Sequence, residues 1–213
     1  MRTIILANGE LNDLQAARAA LSNYDLLIAA DGGAHHCAAL GVTPDVLIGD
    51  LDSLGAQELE AFRAAGVKII RYSTRKDYTD LELAVRYAQE QGAGEIVILA
   101  ALGARWDMTL ANLLLPAAAD LSRLRISLLD GPQEILLVCS GEELELRGRP
   151  GDTVSLIPLG GDAHGLITQG LEYPLHDETL YFGKTRGISN VLTNPRGSVR
   201  VREGTVLCVV IHQ

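Results

Sequence analysis

Short apolar runs closed by turn signals alternate with stretches of helical texture through the first 130 residues. The runs are 3–7, 26–30, 46–48, 67–72, 95–100 and 125–129. Two of them, 26–30 and 46–48, contain no polar residue, which is the pattern of a strand buried on both faces of a parallel sheet. Between the runs, helices are expected over 11–21, 34–40, 56–65, 79–91 and 109–118. Gly66 is placed to cap the third, Thr79 and Glu82 have capping-box spacing at the start of the fourth, and Pro116 should bend or interrupt the fifth.

Beyond residue 130 the helical periods stop. Short β-rich runs take over at 135–139, 143–146, 153–158, 165–171, 198–201 and 205–212, and the alternation Ser198-Val199-Arg200-Val201-Arg202 marks half-exposed antiparallel strands. The expected architecture is α/β, a mostly parallel sheet flanked by helices over 1–130, followed by an all-β domain over 131–213.

Composition narrows the function. Hydrophobic residues make up 47% and aromatics only 4%, so the core must be aliphatic. A formal charge of −9 leaves no basic excess for a general nucleic-acid or anionic-membrane binder, although a compact phosphate ligand can still be met locally. No segment approaches the roughly 18 apolar residues of a membrane span, and the apolar start is too short for a secretory signal, so a cytoplasmic protein is expected. Cys37, Cys139 and Cys208 have no paired spacing and read as reduced, mostly buried thiols.

The candidate chemistry is acidic. Asp31 closes one strand, and Asp50 and Asp52 close the next, at the carboxyl ends where open α/β sheets bind ligands. Carboxylates gathered there repel one another unless a cation lies between them, and an all-oxygen set suits Mg²⁺ before Zn²⁺. Gly32-Gly33 allows a close backbone approach or a sharp turn, and Asn8-Gly9 reads as turn chemistry. His35 and His36, without spaced partners, read as ordinary polar surface. Arg75, Lys76, Asp77 and Asp80 crowd one loop and helix start, mixing cations for phosphate with carboxylates for metal. Asp80 alone is equally explained by the helix dipole, and Arg105 is as well suited to an ion pair with Asp107 as to a phosphate. Gly187-Ile188-Ser189-Asn190 reads only as a loop.

Taken together, Asp31-Gly32-Gly33, Gly49-Asp50-Leu51-Asp52-Ser53, Lys76-Asp77-Tyr78-Thr79-Asp80-Leu81-Glu82, Gly103-Ala104-Arg105-Trp106-Asp107 and Gly187-Ile188-Ser189-Asn190 resemble the thiamine pyrophosphokinase family, in its order and over most of the chain. The resemblance implies an α/β catalytic domain, a C-terminal β-sandwich and a homodimer with active sites between subunits. It implies transfer of pyrophosphate from ATP to thiamine, giving thiamine diphosphate and AMP. It casts Asp31, Asp50, Asp52 and Asp80 as the Mg²⁺ set, with Lys76, Thr79, Arg105 and Asp107 on the nucleotide side. Ser189 and Asn190 fall at the thiamine pocket, and Asp77 or Asp80 is the candidate base. Two positions depart from the family pattern: Met108 stands where a His is common, and Val191 where an acid is common. Rival readings are a pyrophosphokinase for a pterin alcohol, a metal-dependent phosphohydrolase, and a non-enzymatic nucleotide-sensing module.

Overall fold

The computed structural model describes residues 1–103 and 105–213; Ala104, inside one of the five motifs, lies outside the described residues. Two compact units divide the chain, Met1–Gly131 and Pro132–Gln213.

In the first unit, strands β1 (Arg2–Leu6), β2 (Leu26–Ala30), β3 (Val46–Gly49), β4 (Lys68–Arg71), β5 (Glu95–Leu99) and β6 (Arg125–Asp130) alternate with helices α1 (Leu14–Ala20), α2 (Gly33–Leu40), α3 (Ala56–Ala64), α4 (Asp80–Glu90) and α5 (Trp106–Leu114). The strand order is β4-β3-β2-β1-β5-β6, parallel at every pairing. Successive strand side chains point to opposite faces. Ile4, Leu6, Leu27, Ala29, Leu47, Val97 and Leu99 join α1 and α2 in one core, onto which Leu59 and Phe62 of α3 pack. Their neighbours Ile5, Ile28, Ile48, Ile96 and Ile98 are equally buried, and α4 packs against β1, β2 and β3. Burial on both faces is why these strands have no polar alternation.

Helix boundaries follow their caps. The Asp13 carboxylate accepts from the Gln15 and Ala16 amides, so α1 starts three residues later than its apolar pattern. Thr79 caps α4 by accepting from the Glu82 amide at 3.1 Å, but the Glu82 carboxylate turns to Arg86, leaving half a capping box. The last expected helix begins earlier than residue 109 and stops at Leu114, where Pro116 turns the chain into a 3₁₀ segment, Leu115–Ala117.

In the second unit, β7 (Gln133–Val138), β8 (Glu143–Arg147), β9 (Thr153–Gln169), β10 (His176–Leu180), β11 (Asn190–Val191), β12 (Arg196–Arg200) and β13 (Glu203–Ile211) pair antiparallel. The runs 153–158 and 165–171, expected as separate strands, are one 17-residue strand, β9. Gly160 and Gly165, at φ +72° and +67°, let it bend without ending. Its first half pairs with β13 and β11 and its second with β10 and β12, so the strand serves two sheets. Val138, Leu156, Leu166, Leu180, Val199 and Cys208 are among the side chains buried in the core of this unit. Strands β10 and β11 had no apolar run to announce them. Pairing over the whole chain is therefore mixed, which corrects the expected mostly parallel sheet. Among the described residues, no helix is long and apolar enough to cross a membrane.

Candidate active site

Strand β1 is where the order of the first unit reverses: β2, β3 and β4 lie to one side, and the chain then crosses to β5 on the other. Such a crevice, beyond the carboxyl ends of the strands, is where open α/β sheets take ligands. Three of the strand ends bordering it are held in left-handed backbone by residues other than glycine: Asp31 (φ 45°), Leu51 (φ 62°) and Ala100 (φ 54°). Each such residue costs on the order of 1 kcal/mol, tolerated where the surroundings dictate it.

Asp31 is 8% exposed. The Ser53 hydroxyl donates to its Oδ1 at 2.9 Å, and the Asn8 amide faces Oδ2 at 3.5 Å. The chain can start α2 directly after it because Gly33 has no side chain; a Cβ there would lie 2.0 Å from the Leu6 carbonyl oxygen. Leu51 is buried in the core, and its neighbours Asp50 and Asp52 converge with Asp31, one carboxylate oxygen of each lying within 4.8 Å of the others. Asp52 sits at the exposed rim and Asp50 is half-buried.

Lys76 is the cation that meets this acidic group. Its ammonium lies 2.7 Å from Asp80 Oδ1 and 3.4 Å from Asp50 Oδ2. Burial works against that charge, but Asp80 and then Asp50 more than offset it and hold the Lys76 pKa above the usual lysine value. For Asp80, burial dominates and raises the pKa; Lys76 opposes, Asp50 and Asp31 add to the rise, and the carboxyl ends above the ordinary range. Asp80 is thus drawn to the cluster through Lys76, and it is not in the group of three whose oxygens converge. Gly49 keeps the centre open, since a Cβ there would stand 3.1 Å from both Asp31 Cβ and Asp80 Oδ1.

A cleft of about 390 Å³ adjoins the centre, sharing Asp31 and Asp80 as lining residues. Asn8 and Gly9 after β1, Ala101 to Gly103 after β5, and Met108, Thr109 and Asn112 of α5 complete it, with Arg105 at its edge. Arg105 is well exposed and paired with Asp107 at 2.5 Å and 3.2 Å, an arrangement that raises the arginine pKa and lowers that of the aspartate. Asp77 is exposed and, among the described residues, makes no hydrogen bond or ion pair. The Thr79 oxygen accepts from the Glu82 amide as the α4 cap, which leaves the hydroxyl hydrogen to donate elsewhere.

In the second unit Ser189 (φ 59°) donates its amide to the Ser155 hydroxyl. Asn190 is engaged within its own unit: Oδ1 accepts from the Tyr173 and Val191 amides, and Nδ2 donates to the Tyr173 carbonyl. A second cavity of about 260 Å³ is lined by Leu156, Tyr173, Arg186 and Asn190, among others.

Several site residues escaped sequence reasoning. Asn8 read as a turn, Ser53 as part of a motif with no role, and Asn112 as one helix position among many; no short-range pattern distinguishes them. His36 is not ordinary polar surface, because its Nε2 lies 2.8 Å from the Gly9 carbonyl oxygen and ties α2 to the loop after β1.

Fold and centre define a class: an α/β unit with a carboxylate centre suited to a hard divalent cation at its sheet's switch point, joined to an antiparallel β unit. Comparison with known proteins gives the family. Residues 17–128 match the thiamin pyrophosphokinase catalytic domain, and residues 142–206 match the thiamin pyrophosphokinase vitamin B1 binding domain. The chain belongs to the thiamin pyrophosphokinase family. It is 30% identical over 210 residues to the thiamine pyrophosphokinase of Bacillus subtilis (strain 168), covering 98% of each chain. To thiamine pyrophosphokinase 1 of Oryza sativa subsp. japonica it is 29% identical over 158 residues, 70% of this chain and 59% of the relative. The crystal structure of the thiamine pyrophosphokinase from Bacillus subtilis superposes with a TM-score of 0.88 at 27% identity over 100% of both chains.

Proposed function

We propose that this chain is a thiamine pyrophosphokinase, transferring the pyrophosphoryl group of ATP to the thiamine hydroxyl to give thiamine diphosphate and AMP. The observation that carries the reading is the convergence of Asp31, Asp50 and Asp52 beside Lys76, next to a cleft at the strand-order reversal. Its all-oxygen donor set and single adjoining lysine fit Mg²⁺. When bound by Asp31, Asp50 and Asp52, with Asp80 alongside, the ion supplies charge neutralisation for the phosphates.

The chain's own residues do the rest, since pyrophosphoryl transfer is mostly alignment and charge compensation. Lys76 stands where it can move from the carboxylates to a phosphate oxygen. Arg105 can exchange its exposed partner Asp107 for the nucleotide phosphates, and Thr79, whose oxygen accepts in the α4 cap, keeps its hydroxyl hydrogen to donate to them. The thiamine hydroxyl oxygen attacks the β-phosphorus, the bond from that phosphorus to the bridging oxygen breaks, and AMP leaves. Asp77 or Asp80 accepts the hydroxyl proton. Ser189 and Asn190 serve the thiamine side, with Asn190 acting through the Tyr173 backbone it binds. The reading includes a cytoplasmic homodimer. The pterin-alcohol alternative gains no support from the relatives, whose names specify thiamine.

Incubation with ATP, Mg²⁺ and thiamine should yield AMP and thiamine diphosphate in equal amounts. Release of inorganic phosphate without an acceptor alcohol would point to a phosphohydrolase instead.

A further inference from the structure

The segment between β4 and α4 carries an aromatic side chain that neither the acidic centre nor the cleft uses. Tyr78 is 46% exposed, and its ring lies over the Arg86 guanidinium of α4, the central carbon 4.9 Å from the ring centroid. Arg86 can reach back to it because long side chains on a helix lean toward the N-terminus. Two carboxylates fix the guanidinium plane: Nε and Nη2 donate to Glu82 Oε1 at 3.0 and 2.8 Å, and Nη1 donates to Asp120 Oδ2 at 2.6 Å. Asp120 belongs to the 3₁₀ turn Ala119–Leu121, whose Asp120 carbonyl also accepts from Gln89 of α4 at 2.8 Å. With the plane held from two sides, its face is presented to the ring.

A Glu–Arg pair four residues apart is ordinary helix support, and what lifts Arg86 above that is the segment it holds. Tyr72 donates its amide to the Gly49 carbonyl, and Thr79 caps α4. Between them, among the described residues, the backbone of 73–78 makes no hydrogen bond to another backbone group. Two side chains carry the polar and ring contacts that tie this loop down: Lys76 to Asp80 and Asp50, and Tyr78 to Arg86. The first tie is given up when Lys76 leaves the carboxylates for a phosphate oxygen. The second persists.

We infer that Arg86 is a positioning residue: by stacking on Tyr78 it fixes the loop that carries Lys76, so that the ammonium meets the triphosphate without first ordering its own segment. The inference rests on ATP being the pyrophosphoryl donor. Its test measures Mg·ATP binding by calorimetry without thiamine, and AMP formation with thiamine saturating. Tyr78→Leu keeps an apolar side chain at an exposed position but removes the ring face, so the melting temperature should hold while Mg·ATP affinity and kcat/KM for ATP fall roughly 3- to 30-fold. Tyr78→Phe, which keeps the ring, should recover both to within about twofold of wild type. Arg86→Gln should match Tyr78→Leu in binding and turnover, and the Tyr78 series decides the matter even if Arg86→Gln folds poorly. In a Lys76→Ala chain, adding Tyr78→Leu should change Mg·ATP affinity by less than about twofold, because the clamp has no ammonium left to place. A ring with only a structural role, or one that touches the nucleotide itself, would lower affinity by the same factor with or without Lys76. That result, or wild-type binding and turnover in Tyr78→Leu, would overturn the positioning role while leaving the ATP reading intact. A wild-type chain that forms no AMP from ATP and thiamine would overturn both.

Discussion

Asp31 in the first unit and Asp152 in the second are both buried aspartates, 8% and 1% exposed, and the protein treats them in opposite ways. Asp152 is fully compensated. Its Oδ2 accepts from the Arg149 amide at 2.8 Å and from His212 at 3.0 Å, and its Oδ1 accepts from the Gln213 amide at 3.0 Å. Burial pushes its pKa up, but the Arg149 amide, His212 and the Gln213 amide more than offset this and hold it below the ordinary range. Asp31 instead has one hydroxyl, one distant amide and two further carboxylates for company. The first arrangement ties His212 and Gln213 to the segment just before β9. The second leaves negative charge unbalanced, which is stable only in prospect of a cation.

That contrast can be broken at either end. The largest effect is expected at the acidic centre: Asp50→Asn should lower the rate of AMP formation by at least about 100-fold, the scale of losing a preorganised electrostatic contact. Its thermal midpoint should hold or rise, because a repulsive charge has gone. Mg²⁺ should raise the melting temperature of the wild-type chain and do so much less for the variant. A variant that turns over normally would remove Asp50 from the mechanism.

Next in size, Asp152→Ala should cost about 2–4 kcal/mol in urea unfolding, since two backbone amides and His212 lose a charged, buried acceptor. A cost below about 0.5 kcal/mol, the range of plain surface changes, would show that Asp152 is no anchor.

The pH dependences should run in opposite directions and be smaller. Asp80 has a raised pKa, so its contribution to stability is full below the ordinary carboxylate value of 3.8 and is lost as pH rises through its elevated value. Asp152 has a lowered pKa, so its contribution is present above 3.8 and is lost as pH falls through its depressed value. Unfolding of the Mg²⁺-free protein should lose its acid-side decline in Asp152→Asn, and its decline as pH rises above the ordinary carboxylate value in Asp80→Asn. Identical pH profiles in the two variants would contradict the comparison.

The smallest effect sharpens the geometry. Ser53→Ala removes one hydrogen bond to Asp31 and should cost about 1 kcal/mol or less in stability. It should weaken Mg²⁺ binding measured by calorimetry, and unchanged affinity would show that Asp31 is oriented without Ser53.

Where the chain writes its structure locally, it could be read. The apolar run 26–30 became β2 without adjustment, because a strand buried on both faces must be apolar throughout. Thr79 announced α4 through capping chemistry confined to four residues. The strand β10, His-Asp-Glu-Thr-Leu, could not be read, since its place is fixed by β9 rather than by its own polarity. The runs 153–158 and 165–171 read as two strands, and only the pairing partners on both sides show one bent strand.

The same division runs through the site. Order along the chain established the family and supplied the acids, because motif residues and strand-end turns are properties of neighbouring positions. Which carboxylates meet, that Lys76 lies between Asp80 and Asp50, and that the Asn112 amide bonds the Ala101 carbonyl are matters of distance across the fold. Residues tens of positions apart are brought together by packing, and electrostatic energy depends on that separation in space, which no linear pattern encodes.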